Sequence, residues 1–416
     1  MNPPSGHAAR PVIELTETSS VTLPLTPAQV ATLIAVPDLV AVAPDRSGRW
    51  RLAGRRRVGT VRLGAGEGEL ELRLHPKIPV GHLLHLVGHA GGASIWRRGL
   101  VEAARAETPV AAVADAFARL AEQALAGGVL HGYVHREDAL TVVRGRIRAG
   151  AQLGRRFGVP VPLEVAFDDH TADIAENRIL LGALDRLRGV PGVGPATAAL
   201  LRHLAARLVG VVPARPGAPL PAWRATRLNE RYAPALLLAE LVLAGSSLQQ
   251  AGSPAVRIDG FVLDLAQIFE RFLTARLRDL LRPYGLHCDA QPGGHRLDRG
   301  GRVPFRPDVV VCRGGRAVTV VDAKYRVLEG DPPAEHLFQL VSYCTALGLE
   351  HGHLVYAAGR APAGPYRIAR SGITVTAHVL DLALPPDRLD QAARLLAETV
   401  APAAGGPPRR VHVTCG

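Results

Sequence analysis

The sequence predicts a multidomain α+β protein, and three observations predict it. The chain has 416 residues, enough for two or three domains, and 47% of them are hydrophobic, ample for real cores. Residues 12–74 read as short strands punctuated by glycine, whereas 109–244 carry mainly helical periodicity. Beyond residue 251 an amphipathic helix, a β-hairpin and a second helix follow one another, the alternation of an α/β domain. We therefore divide the chain into an N-terminal β-rich domain (1–105), a mainly helical region (106–250), an α/β domain (251–400) and a flexible tail (401–416).

Residues 1–10 read as disordered. Trp50-Arg51-Leu52, Val58–Val61 and Leu70–Leu74 are short strands between glycines, with one helix near Pro27–Ala35. Such spacing suggests a small β-barrel or sandwich. His75-Pro76-Lys77-Ile78-Pro79 then leads into an amphipathic helix, Val80–His89. In 109–126 Val113, Phe117, Leu120 and Leu125 recur near helical spacing. Leu140–Ile147 reads as a basic strand ending in Arg144-Gly145-Arg146, and 167–173 as a polar loop. Helices follow to about Leu187, over 195–209 and over 232–244, with a Pro-rich elbow at Pro213–Pro221. Pro191-Gly192-Val193-Gly194-Pro195 resembles the turn of a helix-hairpin-helix phosphate clamp. It reads equally as a plain loop, with glycine ending one helix and proline starting the next.

The densest chemistry lies in Phe305–Arg326. Val309–Val311 and Ala317–Val321 are β-branched runs suited to buried strands, and Arg313-Gly314-Gly315-Arg316 is a turn signal. A hairpin brings Asp308, at the start of one strand, to Asp322-Ala323-Lys324, at the end of the other. Carboxylate oxygens bind Mg²⁺, with Mn²⁺ as the alternative ion. A bound ion can activate water and stabilise charge on a phosphate, and a nearby ammonium can orient the water or neutralise that charge. The chain has 49 Lys+Arg, yet only Lys77 and Lys324 are lysines. A compact ammonium kept at 324 is not replaceable by a guanidinium there.

Strand register sets a condition. Side chains alternate across a strand, so a two-residue Gly314-Gly315 turn in a regular ladder would put Asp308 and Asp322 on opposite faces. A shared site needs an odd net offset. We expect a three-residue loop, Gly314-Gly315-Arg316, and a bulge elsewhere would serve equally.

Charge and cysteines bound the function. Net charge is +12 with a pI near 10.3, which suits a polyanionic partner. Cys288, Cys312, Cys344 and Cys415 lie far apart, so neither a zinc site nor a disulfide framework is indicated. There is no Walker A loop, no signal-like N-terminus and no apolar run of transmembrane length, and a cytoplasmic protein is expected.

Pro307-Asp308…Asp322-Ala323-Lys324 resembles the PD-(D/E)xK nuclease signature. Gln339 and Tyr343, four apart on one helix face, resemble the QxxxY element of the RecB-like branch of that superfamily. Glu270 stands within the apolar face of the helix 264–281 and matches the glutamate that often helps hold the metal. Its plain alternative is a solvated charge paired with Arg271 or Arg276. The landmarks Leu74-His75-Pro76-Lys77-Ile78, Arg144-Gly145-Arg146, Asp173…Glu176-Asn177-Arg178-Ile179-Leu180 and Tyr232-Ala233-Pro234-Ala235 together resemble the McrC family, over roughly residues 12–400. The resemblance implies a C-terminal restriction-endonuclease-like domain with Asp308, Asp322, Lys324, Glu270, Gln339 and Tyr343 as catalytic residues. Asp308, Asp322 and Glu270 would hold the metal, and Arg306, Arg326 and His336 would contact DNA. It also implies a hexameric AAA+ partner of McrB type, usually using GTP, that docks on the N-terminal half and reads the modified base. Two rivals remain at this stage: a stand-alone or repair-coupled RecB-like nuclease, and a non-catalytic activating adaptor.

Overall fold

A computed structural model describes residues 11–17, 19–90, 108–158, 161–215, 218–244, 258–298 and 300–403. The protein is multidomain α+β. Met1–Val113, Pro254–Ile258 and Val262–Gly416 form one compact unit, and Ala114–Ser253 with Asp259–Phe261 form a second. The expected disorder of residues 1–10 and most of the expected tail lie outside the described residues. Residues 401–403 close the last helix instead.

In the first unit, β1 (Val12–Thr16) and β2 (Ser20–Leu23) precede α1 (Pro27–Ile34). Thr26 and Gln29 form a reciprocal capping box there, and Pro27 fills the first turn, where no N–H is needed. Next come β3 (Val40–Pro44), β4 (Trp50–Gly54), β5 (Arg57–Leu63), β6 (Leu70–His75) and α2 (Val80–Ala90). Ile13 and Leu15 are buried while Val12 and Glu14 face outward, the two-residue period of a half-buried strand. The barrel or sandwich is not seen as a closed barrel. The strands divide between a three-stranded sheet, β2-β4-β3, and a four-stranded one, β1-β6-β5-β10, whose last member is Ile258–Asp264. The polar edge strands β1 and β2 are short, and neither sheet has strands enough to close.

The second unit contains most of α3 (Pro109–Ala126), then β7 (Gly132–Leu140), β8 (Arg146–Ile147), α4 (Ala149–Arg156), β9 (Leu163–Thr171), α5 (Ala175–Leu187), α6 (Pro195–Ala206) and α7 (Ala233–Ala244). Two local expectations are corrected. Residues 167–173 are not a polar loop: β9 runs through Thr171 and pairs antiparallel with all of β7. The basic strand is not continuous either: Leu140 ends β7, and beyond it only Arg146 and Ile147 pair with β9. Asp168–Thr171 is polar because that part of the strand is partly solvated, so hydrophobicity alone hides it. Gly145 makes the sharp entry to β8 with φ +69°, and a Cβ there would lie 2.4 Å from Ala166 O. The 190–198 segment joins α5 to α6, with Pro195 in the first turn.

β10 (Ile258–Asp264) has its middle residues, Asp259–Phe261, in the second unit, and the first unit continues through α8 (Leu265–Leu281), β11 (His287–Ala290), β12 (Val309–Arg313), β13 (Arg316–Leu328), α9 (Ala334–Leu347), β14 (His351–Gly359), β15 (Tyr366–Arg367), β16 (Thr374–Val379) and α10 (Pro386–Ala403). A six-stranded mixed sheet has the order β11-β12-β13-β14-β16-β15, with β13, β14 and β16 parallel. Leu340, Tyr343, Cys344 and Leu347 of α9 pack on Val310, Val320, Leu354 and Val375 of the sheet. Glu17, beside β1, is 1% exposed and links both ends of this unit: its Oε1 accepts from Lys77 N at 2.9 Å and from the Tyr325 hydroxyl at 2.8 Å. Tyr325→Phe should therefore lower stability by about 1–3 kcal/mol, because a buried carboxylate loses a donor. Urea denaturation measures this, and a wild-type midpoint would show that the bond contributes nothing.

Candidate active site

The hairpin turn has two residues. Gly314 (φ +55°) and Gly315 (φ +76°) both adopt positive φ, as a type I′ turn requires, and Arg313 pairs with Arg316. The expected three-residue loop is thus corrected. The odd offset lies inside β13 instead: Cys312 pairs with Ala317 but Val311 pairs with Thr319, leaving Val318 as a bulge. Val309 then pairs with Val321, so one step further Asp308 stands opposite Asp322. The register condition is met by the bulge.

The convergence shows in the electrostatics. Burial, then the charges of Asp322 and Glu270, push the Asp308 carboxyl up to about 7, opposed by the Ala323 N–H that donates to Asp308 Oδ2 at 2.8 Å. Burial likewise raises Asp322, opposed by Lys324, whose Nζ lies 2.5 Å from Asp322 Oδ2. Burial, with the charges of Asp264 and Asp322, raises Glu270. Lys324 Nζ also donates to Gln339 Oε1 at 2.7 Å, and Gln339 Nε2 donates to the Tyr343 hydroxyl at 2.8 Å. Burial and the charge of Asp322 push the Tyr343 phenol up to about 12. The Tyr343 ring stacks on Phe305, with centroids 5.3 Å apart.

The remaining expected residues surround this chain of contacts. His336 is only 6% exposed, and its Nδ1 lies 2.8 Å from the Tyr356 hydroxyl, so it is not a plain exposed histidine. Exposed Arg306 donates from Nε to Gln291 O at 3.1 Å, and Arg326 Nη1 lies 3.3 Å from Glu335. Glu270, Lys324, His336 and Gln339 line a cleft of about 560 Å³.

Gln291 is a site residue that sequence reasoning missed. Its φ is +43°, its N–H donates to Asp308 O at 2.8 Å, and its Nε2 donates to Glu270 Oε2 at 3.1 Å. From a strained position after β11 it holds the Asp308 backbone and the Glu270 carboxylate. No motif marks it, and only its non-glycine positive φ betrays it.

Among the described residues, no three His, Cys, Asp or Glu side chains form a ready-made metal cage. Asp308, Asp322 and Glu270 nevertheless fit a hard divalent ion by chemistry. Asp322 is buried and Asp308 and Glu270 are half-buried, neighbouring carboxylate charges raise the pKa of Asp308 and of Glu270, and Asp322 Oδ2 receives no well-directed hydrogen bond despite the nearby ammonium. Mg²⁺ takes only one or two protein carboxylates and keeps its waters, so a complete cage is not required.

The model of the family described as McrBC 5-methylcytosine restriction system component matches residues 55–357, well over half of the chain. The chain belongs to that family. All the motifs that suggest the resemblance lie inside the matched span. No curated protein matches the sequence. Among solved structures, the chain is similar at 18% identity to a chain of the refined half-complex from a tetradecameric assembly of Thermococcus gammatolerans McrB AAA+ hexamers with bound McrC. That match covers 94% of this chain and 100% of that one, with a TM-score of 0.53, and is a likeness of fold. A chain of the cryo-EM structure of the Thermococcus gammatolerans McrBC complex also matches at 18% identity, over 65% of this chain and 88% of that one, with a TM-score of 0.41. Among the described residues no helix is long and apolar enough to cross a membrane.

Proposed function

We propose that the chain is the metal-dependent DNA endonuclease subunit of a modification-dependent restriction complex, and that it stimulates NTP hydrolysis by an AAA+ partner of McrB type. The observation that carries the nuclease reading is the placement of Asp308 opposite Asp322, with Lys324 ion-paired beside them in a cleft. This reading takes the six-stranded sheet and its helices as a PD-(D/E)xK domain. Asp308, Asp322 and Glu270 would hold Mg²⁺, which when bound supplies Lewis acidity toward water and phosphate. Lys324 is ion-paired with Asp322 and donates to Gln339, which hold its ammonium where it can neutralise charge developing on a phosphate oxygen. Tyr343 fixes the Gln339 amide from the next helical turn. Arg306 and Arg326, both exposed, would meet the DNA backbone.

The similar fold found in an assembly of McrB hexamers with bound McrC supports the partner assignment. Docking is assigned to the N-terminal β region and the middle region. The latter exposes Tyr133 (77%) and Phe157 (84%), large apolar surfaces suited to a protein partner. The family description points to DNA carrying 5-methylcytosine as substrate. The test is cleavage of methylated plasmid by the purified chain with and without the AAA+ partner, NTP and Mg²⁺. Cutting is expected only when all are present. Cutting by the chain alone would make it a stand-alone nuclease. NTPase stimulation without any cutting would make it an adaptor.

A further inference from the structure

The turn between β4 and β5 reads Arg55-Arg56-Arg57, and the site described above makes no use of it. Its backbone is pinned twice: Arg55 N–H donates to Leu39 O at 3.2 Å, and Arg56 O accepts from Leu265 N–H at 3.2 Å. The Arg57 side chain adds a third tie, 2.7 Å from Asp264 Oδ2. Asp264 also caps α8 by accepting from Ala266 N and Gln267 N. The turn is thereby fixed to the helix that carries Glu270.

Arg57 is committed to that ion pair. Arg55 and Arg56 are exposed, and neither has an ion-pair partner among the described residues. Two clefts meet at this point. Arg56 forms part of the wall of the cleft that holds Glu270, Lys324 and Gln339. A wider cleft of about 930 Å³ has all three arginines in its lining, together with Tyr325 and Arg326, and Asp38 and Glu329 also line it. Arg56, Tyr325 and Arg326 belong to both clefts. His336 feels Arg56 as well: burial first, then Lys324, Arg326 and Arg56, hold its pKa down.

We propose that Arg55 and Arg56 hold the phosphate backbone of the DNA leading into the catalytic cleft, so that the β4–β5 turn is one wall of the DNA path. The proposal rests on the nuclease reading above. A guanidinium offers a planar fork of donors that matches phosphate oxygens. Tethering the turn to α8 keeps those forks in a fixed relation to the carboxylates, which is what positioning a scissile phosphate demands. Such contacts position the duplex and carry no base specificity.

The test uses the full chain and a labelled, non-specific DNA duplex in EDTA, with affinity measured over a range of salt concentrations. Arg55→Ala/Arg56→Ala should weaken binding about tenfold or more and reduce the slope of log K against log[salt] by about 2, since each phosphate contact contributes about 0.9. Arg55→Lys/Arg56→Lys should restore most of the slope. Both variants should keep the wild-type urea midpoint, because the two side chains are exposed and unpaired. If the alanine variant is nonetheless destabilised, the lysine variant decides: a reduced slope in that folded, still cationic protein overturns simple charge contact.

Wild-type affinity and slope in the folded alanine variant would overturn the inference and leave the nuclease reading untouched. Normal DNA binding with lost stimulation of the AAA+ partner would also overturn it, by making the turn a protein-docking surface. A wild-type chain that binds DNA through these arginines yet never cuts would overturn the nuclease reading alone. No DNA binding by the wild-type chain at low salt would overturn both.

Discussion

Asp322→Ala and Lys324→Ala should each abolish DNA cleavage, by roughly 10²–10³-fold or more, while leaving stimulation of the partner's NTP hydrolysis near wild-type. Asp322 is 3% exposed and is the point where the Asp308 and Glu270 charges meet the ammonium. Removing it takes away a proposed metal ligand and leaves Lys324 without its counter-charge. Removing Lys324 leaves buried Asp322 without its ammonium beside half-buried Asp308 and Glu270, and it frees Gln339 Oε1. Asp322→Asn separates these effects, since it keeps the shape of the side chain and removes only the charge. Cleavage and NTP hydrolysis are to be read in one reconstituted mixture. Near-normal cutting by the alanine variants would sink the site assignment. Joint loss of cutting and stimulation would show that the two activities are not carried separately.

Asn177→Ala should destabilise the second unit by about 2–4 kcal/mol, and Asn177→Asp should do so by more. Asn177 is 0% exposed on α5, and its Nδ2 donates to Leu130 O and to Ala172 O, both at 2.7 Å. It ties the entry of β7 and the exit of β9 to one helix. Alanine takes this donor from the half-buried Leu130 and Ala172 carbonyls and opens a small void at a fully buried position. Aspartate keeps the volume but turns acceptors toward acceptors, so it isolates the donor role. Its neighbours make the same joint. Arg178 pairs with Asp173 through Nε at 2.7 Å, and Glu176 accepts from Asn229 at 2.8 Å. Urea denaturation reports the loss of stability, and partner stimulation should fall with it if this unit carries the docking surface. A wild-type midpoint for Asn177→Asp would refute the donor argument.

These two sites differ in how far the sequence reveals them. In the proposed site, the residues that converge could be picked out one by one. Asp308, Asp322 and Lys324 lie at strand ends marked by β-branched runs and a Gly-Gly turn, and Gln339 and Tyr343 share a helix face through simple four-residue spacing. Those are local patterns, set by side-chain alternation and helical period. The landmark Glu176-Asn177-Arg178 was legible only as a resemblance, because an internal amide clamp has no local signature that separates it from a surface motif.

Taken alone, the sequence determined the α+β class, the helices near 27–34, 109–126 and 265–281, the two strands of the hairpin and the condition that its two aspartates share a face. Only the tertiary structure decided how that condition is met. Ala317-Val318-Thr319-Val320-Val321 is apolar enough to bury in either register, so no alternation marks which residue bulges. Packing of the sheet against α9 makes the choice, and Val318 is left unpaired. The polar half of β9 was hidden because strand formation there rests on pairing with β7 rather than on its own hydrophobicity. The Glu17–Tyr325 bond spans 308 residues, and the Arg56–Leu265 bond that docks the arginine turn on the start of α8 spans 209. Contacts of that range arise from how sheets and helices stack, and the order of residues along the chain carries no period or turn that encodes them.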